Sequence, residues 1–254
     1  MKYLGNKQRI VNDILPIMLR EMESSGRNTF VDAFCGSCSV IQNVPPQYNR
    51  IANDKQRYLI AMWKSLVDGK QFPQRIERDY YNKLRDCYNG KNQDYDDDIV
   101  GWGGFMASYN GRFYDGGYSG HEVPSKKVGD DGKPVIDPKV RDYIREQIRN
   151  TMQQVKQLEG VDFQSGEYYN IKMPPRSLIY CDIPYRDTKQ YATSKGFDYD
   201  MFYDWCRRMT AKGHKVFVSE YWMPEDFKCV WQKQITNSMH PTKTKKAIEK
   251  LFTL

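Results

Sequence analysis

The sequence predicts an α/β protein: an open, doubly wound, Rossmann-like sheet with helices on both faces. Three observations predict it. Strand-like and helix-like runs alternate as far as Gly69, and strand-like runs return after residue 160. Between them, residues 66 to 159 change character and read as an inserted, mostly helical domain carrying a glycine-rich hairpin or loop. Finally, in "RSLIYCDIPYRDT" the apolar run Leu178-Ile179-Tyr180 stops abruptly on a carboxylate. Ligands of open α/β sheets sit just beyond the carboxyl ends of strands, so a polar cluster there marks a candidate site.

Each element has a local reason. Residues 7 to 22 place Ile10, Ile14, Ile17 and Met18 at helical spacing, with Pro16 expected to kink the helix or end it early. "SSGRN" breaks that pattern, and "TFVDAFCGSCSV" reads as a strand running into a Gly/Ser turn. Arg50 to Ala52 is a second short strand, Asp54 an acidic turn, and a helix follows to about Gly69. Residues 71 to 100 read as polar helices, 101 to 135 as a glycine-rich segment with interleaved aromatic and basic residues, and Lys139 to Leu158 as a helix. Strand signals return in "SLIYCD" and "KVFVSEYW", and no internal repeat is visible. The implied division is one domain from residues 1–65 and 160–254, and a second from 66–159.

Bulk properties narrow the function classes. With 254 residues, 39% of them hydrophobic, the chain can bury a sizeable core and is not globally disordered. No apolar run nears the roughly 18 residues of a membrane span, and "MKYLGNKQRIVNDIL" lacks a signal-peptide core, so an unexported, cytoplasmic protein is expected. Six cysteines, Cys35, Cys38, Cys87, Cys181, Cys206 and Cys229, are too sparse for a disulfide framework and are expected to be free thiols. A net charge of +7 favours a polyanionic partner without demanding one.

Two constellations carry chemistry. In "FVDAFCGSCSV" a strand delivers Asp32, and the Gly36-Ser37 turn leaves room for a ligand against the backbone. Only Gly36 of the G-x-G-x-x-G fingerprint is present, and Cys35-x-x-Cys38 has no second pair, so no metal is expected. Some twenty residues on, Asp54 is placed either to accept ribose hydroxyls or to cap a helix. The second constellation is Asp182-Ile183-Pro184-Tyr185, which reads as a ligand site or as an ordinary Asp-started turn.

Taken in order, "KYLGNK", "FVDAFCGSCSV", "ANDKQ" and "YCDIPY" resemble the motifs of the Dam-type (class alpha) DNA adenine-N6 methyltransferases. That family shows K-x-x-G-x-K, F-x-E/D-x-F-x-G-x-G-S-V, a downstream N-D, and D-P-P-Y. Cys38 stands at the second glycine of the second motif, and Ile183 at the first proline of the last. Similarity continues in "YNGRF", in "TKQYATSKGFDYDMFYDW" and in the ending that contains Lys245, Lys246, Glu249 and Leu251.

The resemblance implies S-adenosylmethionine as methyl donor and double-stranded DNA as substrate. Transfer would be to N6 of a flipped-out adenine within a short specific sequence. The expected enzyme is a metal-free monomer of restriction-modification type in a bacterial or phage-infected cell. Asp182, Ile183, Pro184 and Tyr185 would form the catalytic motif. An adenine amino group is a poor nucleophile, so both its hydrogens need acceptors: the Asp182 side chain and the Ile183 carbonyl. Pro184 would hold Ile183 extended, and Tyr185 would stack on the base. If only the carbonyl matters, Ile183→Pro should be neutral or favourable; if the Ile183 amide donates a hydrogen bond or its side chain fills an apolar pocket, proline should cost stability and activity together. Tyr3, Lys7, Asp32, Phe34, Gly36, Ser37, Asp54 and Asp182 would border the cofactor, with Asp54 on the ribose. Asn110 and Arg112 of the insertion, with Lys243, Lys245 and Lys246, would contact DNA. The alternatives are a methyltransferase acting on RNA or cytosine N4, and a weakened DNA-binding protein that retains the fold.

Overall fold

The computed structural model describes residues 1–3, 5–128, 134–186, 196–237 and 245–254, with the backbone alone at 125–128, 134, 136–139, 236–237 and 245–246. In chain order its elements are α1 (Val11–Ser25), β1 (Thr29–Asp32), β2 (Asn49–Asp54), α2 (Arg57–Val67), α3 (Arg78–Tyr88), α4 (Asp97–Ala107), β3 (Val123–Val128), β4 (Pro134–Arg141), α5 (Tyr143–Val155), β5 (Val161–Ser165), β6 (Leu178–Asp182), α6 (Tyr199–Ala211), β7 (Lys215–Glu220), β8 (Lys228–Asn237) and β9 (Lys245–Thr253). They form two compact units, Met1–Asn6 with Arg57–Glu159, and Lys7–Gln56 with Gly160–Leu254.

The second unit holds a seven-stranded sheet in the order β5-β2-β1-β6-β7-β9-β8, with α1 and α6 as its long helices. Its first five strands are parallel, and β9 and β8 are antiparallel additions at one edge. Parallel strands are covered on both faces, which is why Phe30, Val31, Leu178, Ile179, Tyr180 and Cys181 run as continuous buried stretches. Helix α1 continues through Pro16 and buries Val11, Ile14, Leu15, Met18 and Met22. The expected early end does not occur: that apolar face outweighs the one backbone hydrogen bond proline removes. At the helix's end Gly26 takes a left-handed φ of 66° and closes the cap.

The first unit is mostly helical and carries the two-stranded β3–β4 ladder. Its longer segment begins at Arg57, whereas composition places the break after residue 65, and within it α2 packs along α4. Residues 101–107, read from the sequence as the start of the glycine-rich segment, are helical. They complete α4, where a Cβ at Gly101 would collide with the Tyr58 carbonyl oxygen of α2. Glycine there is a packing device that brings two backbones together. The helix expected from Lys139 starts only at Tyr143, where the Asp142 carboxylate accepts from the Arg145 amide as N-cap.

Candidate active site

Strand β1 lies between β2 and β6, so the chain leaves β1 toward opposite halves of the sheet. The crevice outside the carboxyl ends of β1 and β6 is therefore the topological switch point. Asp32 ends β1 opposite Tyr180, and Asp182 ends β6 opposite Ser219 of β7.

Lys7 reaches this point from the segment preceding α1. Its Nζ lies 2.8 Å from Asp182 Oδ1, with the lysine side chain 8% and the aspartate 21% exposed. The same ammonium sits 4.7 Å from the centroid of the Tyr185 ring. Burial raises the Asp182 pKa to about 6, and the Lys7 charge holds it from going further. Tyr185 is itself buried; its hydroxyl donates to Glu249 Oε2 at 2.6 Å, and its ring meets Tyr221 edge-on. A base stacking on the ring face that carries Lys7 requires that side chain to give way. Ile183 is 2% exposed, within an apolar cluster that includes Ile179, Phe202, Cys206 and Val218. The Pro184 carbonyl accepts from the Tyr199 hydroxyl at 3.0 Å.

The turn after β1 is held from β2. Asp54 accepts the Gly36 amide at 3.0 Å on one oxygen and the Gln56 amide at 2.9 Å on the other. Gly36 has a φ of 46° and Cys38 one of 59°, both left-handed. That conformation costs a non-glycine residue on the order of 1 kcal/mol, which gives a physical reason for glycine at position 38 in the motif. Cys35 and Cys38 are buried free thiols whose pKa values burial pushes up, so neither is an activated nucleophile. Phe34 stacks on Tyr168 with centroids 5.4 Å apart. Asp32 is buried, and its Oδ1 has no hydrogen-bond partner among the described residues. Burial, then the charges of Asp182 and Asp54, raise its pKa well above the usual carboxylate value.

The structure thus brings Lys7, Asp182 and Tyr185 into contact, and joins Gly36 to Asp54. Tyr3 falls in the other compact unit, its ring 6.1 Å from Phe105. Asn110 and Arg112 belong to that unit too, both exposed, with Asn110 at a φ of 55°. Lys243 lies outside the described residues, and Lys245 and Lys246 are placed by backbone register alone, opposite Asn237 and Thr236. Sequence reasoning missed Glu220, and gave Tyr168 (in "FQSGEYY"), Tyr199 and Glu249 no individual role although each lies in a stretch that resembles the family. The signal for Glu249 was present in the C-terminal similarity, whereas Glu220 carries none until β7 is paired.

Among the described residues no cluster of His, Cys, Asp and Glu could hold a metal, and no helix is long and apolar enough to cross a membrane. No curated protein matches the chain. The family described as D12 class N6 adenine-specific DNA methyltransferase matches residues 3–248, which include Lys7, Asp32, Asp54 and Asp182–Tyr185. That match spans nearly the whole length and agrees with the seven-stranded, mostly parallel sheet. The chain belongs to the D12 class N6 adenine-specific DNA methyltransferases, enzymes that place a methyl group on N6 of adenine in DNA.

Proposed function

We propose that the methyl donor is S-adenosylmethionine, that the acceptor is an adenine extruded from a short specific duplex sequence, and that residues 66–159 form the target-recognition domain. The observation that carries this reading is the Lys7–Asp182 pair at the carboxyl end of β6, with Tyr185 against the lysine. The donor supplies an electrophilic methyl on a sulfonium. Asp32 fits such a ligand, since a buried carboxyl oxygen without a partner among the described residues suits a cationic or hydroxyl-bearing group. Each Asp54 oxygen spends one acceptor position on a backbone amide and keeps capacity for a ribose hydroxyl. Gly36, Ser37 and Phe34 flank that side.

Lys7 keeps the Asp182 carboxylate available as an acceptor against the cost of its burial. Asp182 then accepts one amino hydrogen of adenine and the Ile183 carbonyl the other, which aims the nitrogen lone pair at the methyl carbon. A bound sulfonium donor would supply the methyl group and keep the C–S electron pair on sulfur as a neutral thioether, and Asp182 would take the surplus proton from the nitrogen. Pro184 keeps Ile183 extended, and Tyr185, anchored on Glu249, supplies a ring to the base. Asn110, Arg112, Lys243, Lys245 and Lys246 are assigned to DNA. The test is transfer of a radiolabelled methyl group to duplex DNA, with RNA in parallel. Label should appear as N6-methyladenine in duplex DNA alone. Asp182→Ala should abolish transfer while donor affinity stays within a few-fold. Label in cytosine or RNA, or substantial turnover by Asp182→Ala, overturns the reading.

A further inference from the structure

One buried carboxylate ties the backbone of the residue that directly follows the catalytic motif to the backbone of an exposed tryptophan in a separate segment. Glu220, the last residue of β7, is 1% exposed. Its Oε1 accepts the Arg186 amide at 2.6 Å, and its Oε2 accepts the amides of Tyr221 and Trp222, the latter at 3.3 Å. The backbones bearing Arg186 and Trp222 are thereby tied to the same anion. Their side chains meet as well: the Arg186 guanidinium carbon lies 5.6 Å from the centre of the Trp222 ring and 5.4 Å from that of Tyr199. Tyr199 in turn donates to the Pro184 carbonyl, so the same ring that borders the cation also holds the catalytic motif.

Neither exposed group serves the packed interior. Trp222 is 53% exposed, Arg186 is exposed, and Arg186 has no ion pair among the described residues. An arginine whose backbone is fixed and whose guanidinium rests on aromatic rings has lost much of its conformational freedom before any ligand arrives. What it still presents is a planar fork of N–H donors, a shape matched to the paired oxygens of a phosphate. We propose that Arg186, held beside Trp222 by Glu220, binds a backbone phosphate of the DNA strand carrying the target adenine. The inference rests on the function proposed above and adds a contact to it: the motif that receives the base is followed at once by a group that holds the strand from which the base is drawn.

The test measures duplex affinity against salt concentration, by fluorescence anisotropy, for wild type, Arg186→Ala and Arg186→Lys. Neutralising one phosphate contributes about 0.9 to the slope of log K against log salt. Arg186→Ala should lower that slope by about one, weaken binding equally for specific and unrelated duplexes, and leave S-adenosylmethionine affinity unchanged. Arg186→Lys should restore the slope while losing part of the affinity, because the charge returns without the fork. An unchanged slope in Arg186→Ala overturns the proposal, as does a loss of cofactor affinity in place of a loss of DNA affinity. A melting temperature within a degree or two of wild type shows that the exposed arginine was removed without unfolding. A wild type that binds no duplex overturns the proposal outright. One that binds duplex without methylating adenine overturns the enzymatic reading and leaves the slope to decide this one.

Discussion

Replacing Ile183 by proline separates the chemistry proposed for the Asp182–Tyr185 motif from its packing. Considered from the sequence alone, the change looks harmless, since the carbonyl survives and proline is usual at that position of the motif. The structure changes the expectation. The Ile183 side chain is 2% exposed and packed in the cluster that contains Ile179, Phe202, Cys206 and Val218. Proline carries one side-chain carbon fewer, a loss of about 0.8 kcal/mol for a buried methylene. Its ring also points elsewhere, adding a misfit on the order of 1 kcal/mol. Against this, stiffening the unfolded chain returns about 0.4–1 kcal/mol. Asp182, as the residue before the new proline, ends a strand and already has the extended backbone that position requires. The net expectation is a loss of about 1 kcal/mol, which lowers the melting temperature by roughly 2–4 °C in a chain of this size. Single-turnover methyl transfer should stay within a few-fold of wild type, because the accepting carbonyl is still present. Ile183→Ala, which empties the same site, should cost more, about 2–4 kcal/mol. An unchanged or higher melting temperature for Ile183→Pro refutes the packing argument. A stable variant slowed on the order of a hundredfold refutes the claim that only the carbonyl matters to the chemistry.

Three further outcomes follow from the geometry. Lys7→Gln removes the ammonium that lowers the Asp182 pKa, so that pKa rises above about 6. Because only the ionised carboxylate accepts freely, activity is lost as pH falls through this pKa, and the acid limb of the pH–rate profile should move to higher pH; a limb that stays in place removes Lys7 from that role. Asp54→Ala should weaken S-adenosylmethionine binding by about 1.5–3 kcal/mol, through lost ribose hydrogen bonds and a released Gly36 turn, and calorimetry showing unchanged affinity rules the ribose contact out. Gly101→Ala drives a methyl into the Tyr58 carbonyl of α2 and should destabilise the helical unit by about 1–3 kcal/mol, while a variant as stable as wild type in thermal or urea unfolding shows that α2 and α4 can separate freely.

Much of the sheet was readable from local pattern. Short apolar runs closed by Gly, Ser or Asp marked Thr29–Asp32, Asn49–Asp54 and Leu178–Asp182, because a strand buried on both faces must be apolar throughout and its end must turn. The stretch Asp182-Ile183-Pro184-Tyr185 was readable for the same reason: its four residues are contiguous, and the chemistry proposed for them depends on backbone and side chains that are neighbours in the chain. The glycines at 101, 103 and 104 misled, since glycine ordinarily signals a turn and its use in α4 appears only when α2 is laid against it. Strand β8 stayed hidden because "KCVWQKQITN" is polar and finds its register only by pairing with β9.

The parallel strands β1, β2, β6 and β7, the acids that end β1 and β6, and the family to which the motifs belong are written in short stretches of chain. The partners of those acids and of their neighbours are not. Lys7 meets Asp182, Glu249 takes the Tyr185 hydroxyl, and Glu220 ties Arg186 to Trp222, each across a long separation in sequence. Such pairings have no local signature, because they exist only once parallel β6 and β7 and antiparallel β9 stand side by side. Ile183 shows the difference within one residue: its carbonyl belongs to the motif and was legible, while its side chain belongs to a pocket built by α6 and β7 and was not.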